Sequence, residues 1–108
     1  MAGSDLFTGT LDLLILKALT WGPSHGYAIG RWIRETTGDV LVVQEGALYP
    51  ALHRLERKAL LSEDWRESET GRQAKYYSLT PRGRAYLRAE RKRWEQFSGA
   101  VARALALA

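Results

Sequence analysis

The chain has 108 residues, a net charge of +4, a pI of about 9.7 and no cysteine. This length predicts one small domain, and the absence of cysteine excludes disulfides and thiolate metal sites. The longest apolar run near the start, Leu11 to Leu19, contains Asp12 and Lys17 and is too short to span a bilayer. We therefore expect a cytoplasmic protein with no membrane segment.

The first predicted helix runs from Phe7 to about Thr20 and is apolar on two sides. One stripe consists of Phe7, Leu11, Leu14 and Ala18, and the other consists of Leu13, Leu16 and Leu19. So small a chain is expected to cover one stripe itself, so we predict that a partner subunit covers the second. The alternative is a central core helix.

A second helix is predicted after the break at Trp21-Gly22-Pro23. Ser24 is a good N-cap for it, and Gly38 ends it after about Thr37. Asp39 to Val43 is β-branched and predicts a brief strand or an extended linker.

The segment from Gly46 to Leu60 predicts an amphipathic helix, with Pro50 fixing its start near Gly46. Leu48, Ala51, Leu52, Leu55 and Ala59 form the apolar side, while Pro50, His53, Arg54 and Arg57 form the other, with Tyr49 at the margin. The outer side carries cations and hydrogen-bonding rings without a carboxylate, which suits the major groove of DNA. An ordinary solvated helix face would look the same.

Alternation after Leu60 predicts a β-hairpin, followed by a long last helix. The strands contain Leu61, Glu63 and Trp65, then Lys75, Tyr77 and Leu79, with a polar loop from Ser68 to Gln73 between them. Thr80-Pro81 predicts a helix start, and the helix extends to about Leu107. Its narrow apolar seam is Leu87, Trp94, Phe97, Val101 and Leu105, a coiled-coil-like spacing that predicts a two-fold homodimer. Trp21, Trp32 and Trp65 are expected in the core.

The distribution of charge argues against inferring DNA binding from the pI alone. Residues 44–79 carry six Lys or Arg and six acids, whereas the segment from Arg82 to Arg93 carries six cations against Glu90. Any nucleic-acid interpretation must therefore depend on individually placed residues.

Three helices and a hairpin with a basic tip, in this order, predict a mainly α fold with a small β-hairpin (α+β): a winged helix-turn-helix over residues 1–80 and a C-terminal dimerisation helix over 81–108. The chain resembles the PadR family of bacterial transcriptional regulators. The matching stretches are H-G-Y at His25, G-A-L-Y-P-A-L-H-R-L-E at Gly46, G-R-Q-A-K-Y-Y at Gly71 and L-T-P-R-G at Leu79. Ala47 departs from the pattern, which usually has Ser or Thr there.

This resemblance implies a dimeric repressor that binds a pseudo-palindromic operator in double-stranded DNA. The DNA-binding residues implied are Tyr49, Pro50, His53, Arg54, Arg57, Arg72 and Lys75. The N-terminal residues of the second helix, 24–27, are expected to dock a phosphate. Trp94 is expected either to stack on a small planar aromatic or cationic effector at the dimer interface, beside Leu87, Phe97 and Val101, or to pack against its twin. No cofactor is expected.

Other functional classes fit the sequence less well. An enzyme is disfavoured because the two histidines lie far apart and no phosphate loop precedes a helix. A metal sensor is disfavoured because His25 and His53 lack partners at ligand spacing. A winged-helix adaptor that binds a protein and not DNA remains open, since residues 44–79 have no net charge.

Overall fold

The computed structural model describes residues 3–108, with side chains from residue 9 onward. The helices are α1 (Gly3–Ala18), α2 (Gly26–Thr36), α3 (Glu45–Arg57) and α4 (Pro81–Leu105), and a 3-10 turn follows α1 at Leu19–Trp21. The strands are β1 (Ser24–His25), β2 (Leu61–Glu67) and β3 (Gln73–Leu79), which form an antiparallel sheet in the order β1-β3-β2. The predicted mainly α fold with a small β-hairpin is therefore confirmed.

The hydrophobic core lies where α1 packs against α2, α3 and α4. Ile15 and Leu16 of α1 and Leu19 of the 3-10 turn are fully or almost fully buried there, together with Ile29 and Ile33 of α2. The prediction that a partner covers Leu16 and Leu19 is therefore wrong, because the chain's own helices enclose both. The predicted position of the Phe7 side chain lies outside the described residues.

The start of α2 differs from the predicted one. His25, not Ser24, is the N-cap: its Nδ1 accepts a hydrogen bond from the N–H of Ala28 at 3.1 Å. Ser24 and His25 instead form β1 and pair with Tyr77 and Tyr76 of the hairpin. This short third strand anchors the hairpin to α2. After α2, residues 39–43 form no strand: Asp39 and Val40 turn back on the helix end, where the N–H of Val40 donates to the carbonyl of Thr37 at 3.1 Å, and residues 41–43 are irregular.

The junction between α3 and α4 explains the L-T-P-R-G stretch. Thr80 is the predicted N-cap of α4: its hydroxyl accepts from the N–H of Gly83 at 2.9 Å and donates to the carbonyl of Ala59 at 2.7 Å. A Cβ at Gly83 would lie 2.1 Å from the carbonyl oxygen of Leu60, so only glycine lets α4 dock this closely. This contact fixes the direction in which α4 leaves the domain.

The C-terminal part of α4 projects from the domain, and the molecule measures 56 × 29 × 24 Å. Leu87 differs from the predicted seam, because it is 9% exposed and belongs to the core of its own chain. Trp94, Phe97, Val101 and Leu105, which we call the apolar row, are exposed. Within residues 3–108, no helix has both the length and the apolar character needed to cross a membrane.

Two of the three tryptophans expected in the core are on the surface. Trp21 is 69% exposed and Trp65 is 62% exposed, whereas Trp32 is half-buried. Trp21 packs at 5.4 Å on Trp32 and lies under the Lys17 ammonium. Trp65 lies on β2 of the hairpin, opposite Lys75 of β3.

Candidate nucleic-acid interface

The outer face of α3 is as predicted at Tyr49, Pro50, His53 and Arg57, but Arg54 is half-buried, and Ala59, predicted on the apolar side, is exposed beyond the helix end. Leu48, Ala51, Leu52 and Leu55 are buried, while Tyr49, Pro50, His53 and Arg57 are exposed. The helix begins at Glu45, so Pro50 lies just beyond its first turn. Because proline has no N–H, the exposed Gly46 carbonyl loses only its intrahelical partner and stays open to water.

A cleft of about 860 Å³ lies between α3, the start of α2 and the β2–β3 hairpin. It brings together Tyr49 and His53 from α3 with Arg72 and Lys75 from the hairpin, four of the seven predicted DNA-binding residues. Pro50 and Arg57 lie on the same exposed helix face but outside the cleft lining. A helix and a hairpin that flank one concave surface match the way winged helices hold a duplex.

The Tyr49 ring is held against the start of α2. A Cβ at Gly26 would lie 2.8 Å from Cε1 of Tyr49 and 2.9 Å from its hydroxyl oxygen, so the absence of a side chain at Gly26 makes room for the ring. Tyr49 remains 44% exposed, and its free edge faces the cleft. The H-G-Y stretch therefore positions a residue of α3.

His25 lies where α2, the hairpin and the cleft meet. Because its Nδ1 accepts the capping hydrogen bond, the neutral ring carries its proton on Nε2. The ring also packs edge-on against Tyr76 of β3, with centroids 5.4 Å apart. These contacts fix the ring at the wall of the cleft.

Arg54 is engaged inside the domain. Its guanidinium donates to the carboxylate of Asp12 on α1 at 2.5 Å, and the Asp12 side chain is only 9% exposed. The pair ties α1 to α3, so this guanidinium is less available to a ligand than an unpaired one.

Lys75 is also held by acidic neighbours. Its ammonium forms ion pairs with Glu63 on β2 and, at 3.2 Å, with Glu56 on α3. We call Lys75, Glu56 and Glu63 the latch, because they connect the hairpin to α3. Hydrogen bonding to Glu63 raises the pKa of Lys75, and burial raises the pKa of Glu56. Hydrogen bonds from Glu56 and Lys75 lower the pKa of Glu63.

Two residues of the cleft lining, Arg31 and Trp65, were not predicted to contact DNA, whereas Tyr27 belongs to the 24–27 stretch that was expected to dock a phosphate. Tyr27 and Arg31 of α2 line it, with the guanidinium 5.7 Å from the centre of the Tyr27 ring, and Trp65 lines it from β2. The i, i+4 spacing of Tyr27 and Arg31 could have marked them as one exposed patch. No sequence signal shows that this patch borders the hairpin.

Residues 15–89 match the model of the "Transcriptional regulator PadR-like family". The chain belongs to the PadR family. A transcriptional regulator of Clostridium thermocellum superposes on this PadR protein with a TM-score of 0.82 and 32% identity, over 92% of this chain and 96% of the other.

Two further PadR relatives agree. A PadR family transcription regulator of Clostridium difficile R20291 superposes with a TM-score of 0.77 and 30% identity, covering 89% of this chain and 98% of the other. The transcriptional regulator Rv3488 of Mycobacterium tuberculosis is 38% identical over 73 residues, 67% of each chain. This chain is therefore a PadR-family transcriptional regulator, a class that typically acts without catalysis.

Proposed function

We propose that this PadR protein binds operator DNA through the cleft, with α3 in the major groove and the hairpin as a wing against the neighbouring backbone or minor groove. The observation that carries the proposal is the convergence of Tyr49, His53 and Arg72 on one concave surface. His53 and Arg57 are the candidates for contact with base edges, and Tyr49 and Pro50 for a thymine methyl or a phosphate.

On the wing, Arg72 is the candidate for contact with DNA. Arg54 and Lys75 have a structural role instead. Arg72 is exposed near the hairpin tip and forms no ion pair among residues 9–108. Arg54 and Lys75, which the sequence also predicted as DNA contacts, are each held by carboxylates in the same chain. We assign them to the support of α3 and the wing.

The protein acts as a homodimer that joins through α4. The apolar row leaves Trp94 and Phe97 each more than one-third exposed, and Leu105 80% exposed, which favours burial against a second copy. Residues 1–80 then form the DNA-binding head and 81–108 the dimerisation helix. A two-fold axis presents two copies of α3 to a pseudo-palindrome with half-sites about one helical turn apart.

The dimer represses by occupying promoter DNA, and a small planar aromatic or cationic ligand relieves repression at the dimer interface. The support for this ligand is the Trp94 and Phe97 pair, whose ring centroids lie 6.2 Å apart at an interplanar angle of 39°. Two aromatic rings at the interface between the two copies can stack on a flat cation held between them.

DNA binding is tested by fluorescence anisotropy with a selected operator and a random duplex at several salt concentrations. We expect a steep fall of log affinity with log salt, and an operator preference that His53→Ala with Arg57→Ala removes. Arg34→Ala, which removes an exposed cation outside the cleft, is the control that keeps operator preference. A flat salt dependence with equal affinity for both duplexes would favour the adaptor, which the zero net charge of residues 44–79 supports.

Dimerisation and ligand binding are tested separately. Sedimentation at micromolar concentration should give twice 12.2 kDa, and Phe97→Glu should give a monomer. An acridine should quench the tryptophan fluorescence of the wild type and of Trp21→Phe, which removes an exposed tryptophan elsewhere. Unchanged quenching in Trp94→Ala would rule out the proposed ligand site.

A further inference from the structure

The positive charge of this protein is concentrated on α4 and not on its winged-helix head. Residues 81–108 carry seven cations and two acids, so they have a net charge of +5, while residues 1–80 have nine cations, ten acids and a net charge of −1. A head without excess charge gains little of the non-specific electrostatic attraction on which DNA-binding proteins depend. That attraction must come from α4.

Three cations of α4 lie on one side of the helix. Arg84, Arg88 and Lys92 follow each other at i, i+4 and i+8 and are exposed, and their side chains form no ion pair or hydrogen bond within the described part of the chain. We call them the cationic stripe, and it extends over roughly 12 Å at 1.5 Å per residue. The neighbouring cations Arg91 and Arg93, in contrast, are paired with Glu95 and Glu90.

The cationic stripe stays free in the proposed dimer. At 100° per residue its centre lies roughly 130° around the helix from the centre of the apolar row. The stripe also begins just after Thr80, at the base of the hairpin. The seven residues of β3 separate this base from the hairpin tip by about 23 Å at 3.3 Å per residue. No residue of α4 lines the cleft. The stripe is therefore a surface separate from both.

We infer that the cationic stripe is a second DNA-binding surface, which contacts the phosphate backbone of duplex DNA without regard to sequence. Three unpaired, exposed cations on one face match an evenly spaced row of phosphates in charge, and they lie outside the cleft that is proposed to read the bases. The inference rests on the proposed function, because it takes DNA as the polyanion that a transcriptional regulator meets.

The test compares two variants of equal net charge, on a random duplex that lacks the operator. The stripe variant carries Arg84→Gln, Arg88→Gln and Lys92→Gln. The control carries Lys58→Gln, Arg82→Gln and Arg103→Gln, three exposed cations outside the stripe whose side chains also form no ion pair within the described residues. Each phosphate contact contributes about 0.9 to the slope of log affinity against log salt. We expect the stripe variant to lose about 2 to 3 units of slope per protomer and at least tenfold in affinity at about 0.1 M salt.

The control variant should lose less than about one unit of slope. A third variant, which carries Arg84→Lys, Arg88→Lys and Lys92→Arg, should bind like the wild type, since only charge matters. Equal binding of DNA by the stripe and control variants would overturn the inference. So would a stripe variant that keeps wild-type affinity for DNA but no longer binds phosphatidylserine vesicles, because the stripe would then bind a lipid surface and not DNA.

The head variant His53→Ala with Arg57→Ala separates this inference from the proposed function. If the cleft recognises the operator, this variant loses operator preference and loses less of its binding to random duplex than the stripe variant does. Loss of operator preference in the stripe variant alone would place sequence recognition on α4 and contradict both proposals. If the wild type shows no operator preference but binds random duplex more tightly than the stripe variant does, only the proposed function is contradicted.

Discussion

The latch allows two roles of Lys75 to be distinguished. If Lys75 positions the wing, loss of its partner Glu63 weakens operator binding, whereas if Lys75 only contacts DNA, the same loss strengthens it. Lys75→Met removes the cation between Glu56 and Glu63 and leaves two carboxylates facing each other. If Lys75 positions the wing, loss of either partner loosens the hairpin relative to α3. If Lys75 only contacts DNA, its acidic partners oppose binding.

The size of the stability loss follows from burial. The Lys75 side chain is 24% exposed and that of Glu56 is 18% exposed, so this pair lies between a surface ion pair, worth at most about 1 kcal/mol, and a buried one, whose disruption costs about 3 to 5 kcal/mol. We expect Lys75→Met to lower the free energy of unfolding by about 1 to 2 kcal/mol. Lys75→Arg, which keeps the charge, should lose less.

The decisive assay is operator affinity in Glu63→Gln. A positioning role predicts that this variant binds operator about three- to fivefold more weakly, which corresponds to about 0.6 to 1 kcal/mol. A pure contact role predicts tighter binding, because one negative charge near the phosphates is gone. Tighter binding by Glu63→Gln, or additive effects of Glu63→Gln and Lys75→Met in a double-mutant cycle, would refute the positioning role.

The latch also predicts a pH profile. The pKa of Lys75 is raised above its ordinary 10.5, so its contribution to stability is complete below 10.5 and lost as pH rises through the folded-state pKa. The pKa of Glu63 is lowered from 4.5, so its contribution is present above 4.5 and lost as pH falls through the folded-state pKa. The pKa of Glu56 is raised, and Lys75→Met raises it further because two carboxylates then face each other. The difference in unfolding free energy between wild type and Lys75→Met should therefore shrink as pH falls through that pKa and stay constant from about pH 8 to 9.5. A difference that changes steeply within that range would contradict the latch.

Two glycine substitutions test the remaining geometry. Gly83→Ala should lower the free energy of unfolding by about 3 kcal/mol, because its Cβ would lie 2.1 Å from the Leu60 carbonyl oxygen. The control Gly99→Ala in the same helix should raise the free energy of unfolding by up to about 1 kcal/mol. Equal melting temperatures of the two variants in thermal denaturation would contradict this packing. Gly26→Ala should keep its melting temperature within a few degrees and bind operator about tenfold more weakly, because the Tyr49 ring must move; unchanged affinity would show that Tyr49 does not contact DNA.

The elements that local patterns determine could be predicted from the sequence. Helical periodicity gave the buried and exposed faces of α3, and Thr80-Pro81 gave the start of α4, because both depend on residues within one or two turns. The strand Ser24–His25 was missed because a two-residue strand has no alternation to detect and exists only through its pairing with β3.

What the sequence could not show is which cations already have a partner. Arg54 lies 42 residues from Asp12, and no local pattern links the two. Lys75 looked like any other wing cation until the fold brought Glu56 and Glu63 to it. Trp65 was expected in the core on hydrophobicity alone, but its place on the open side of the hairpin leaves it exposed.

The most direct test of sequence-specific recognition by two copies of α3 is selection of bound duplexes from a random library. The account predicts enrichment of an inverted repeat whose half-sites are centred about 10 to 10.5 base pairs, or a multiple of that, apart. Enrichment of one unrepeated motif, or of no sequence at all, would contradict it.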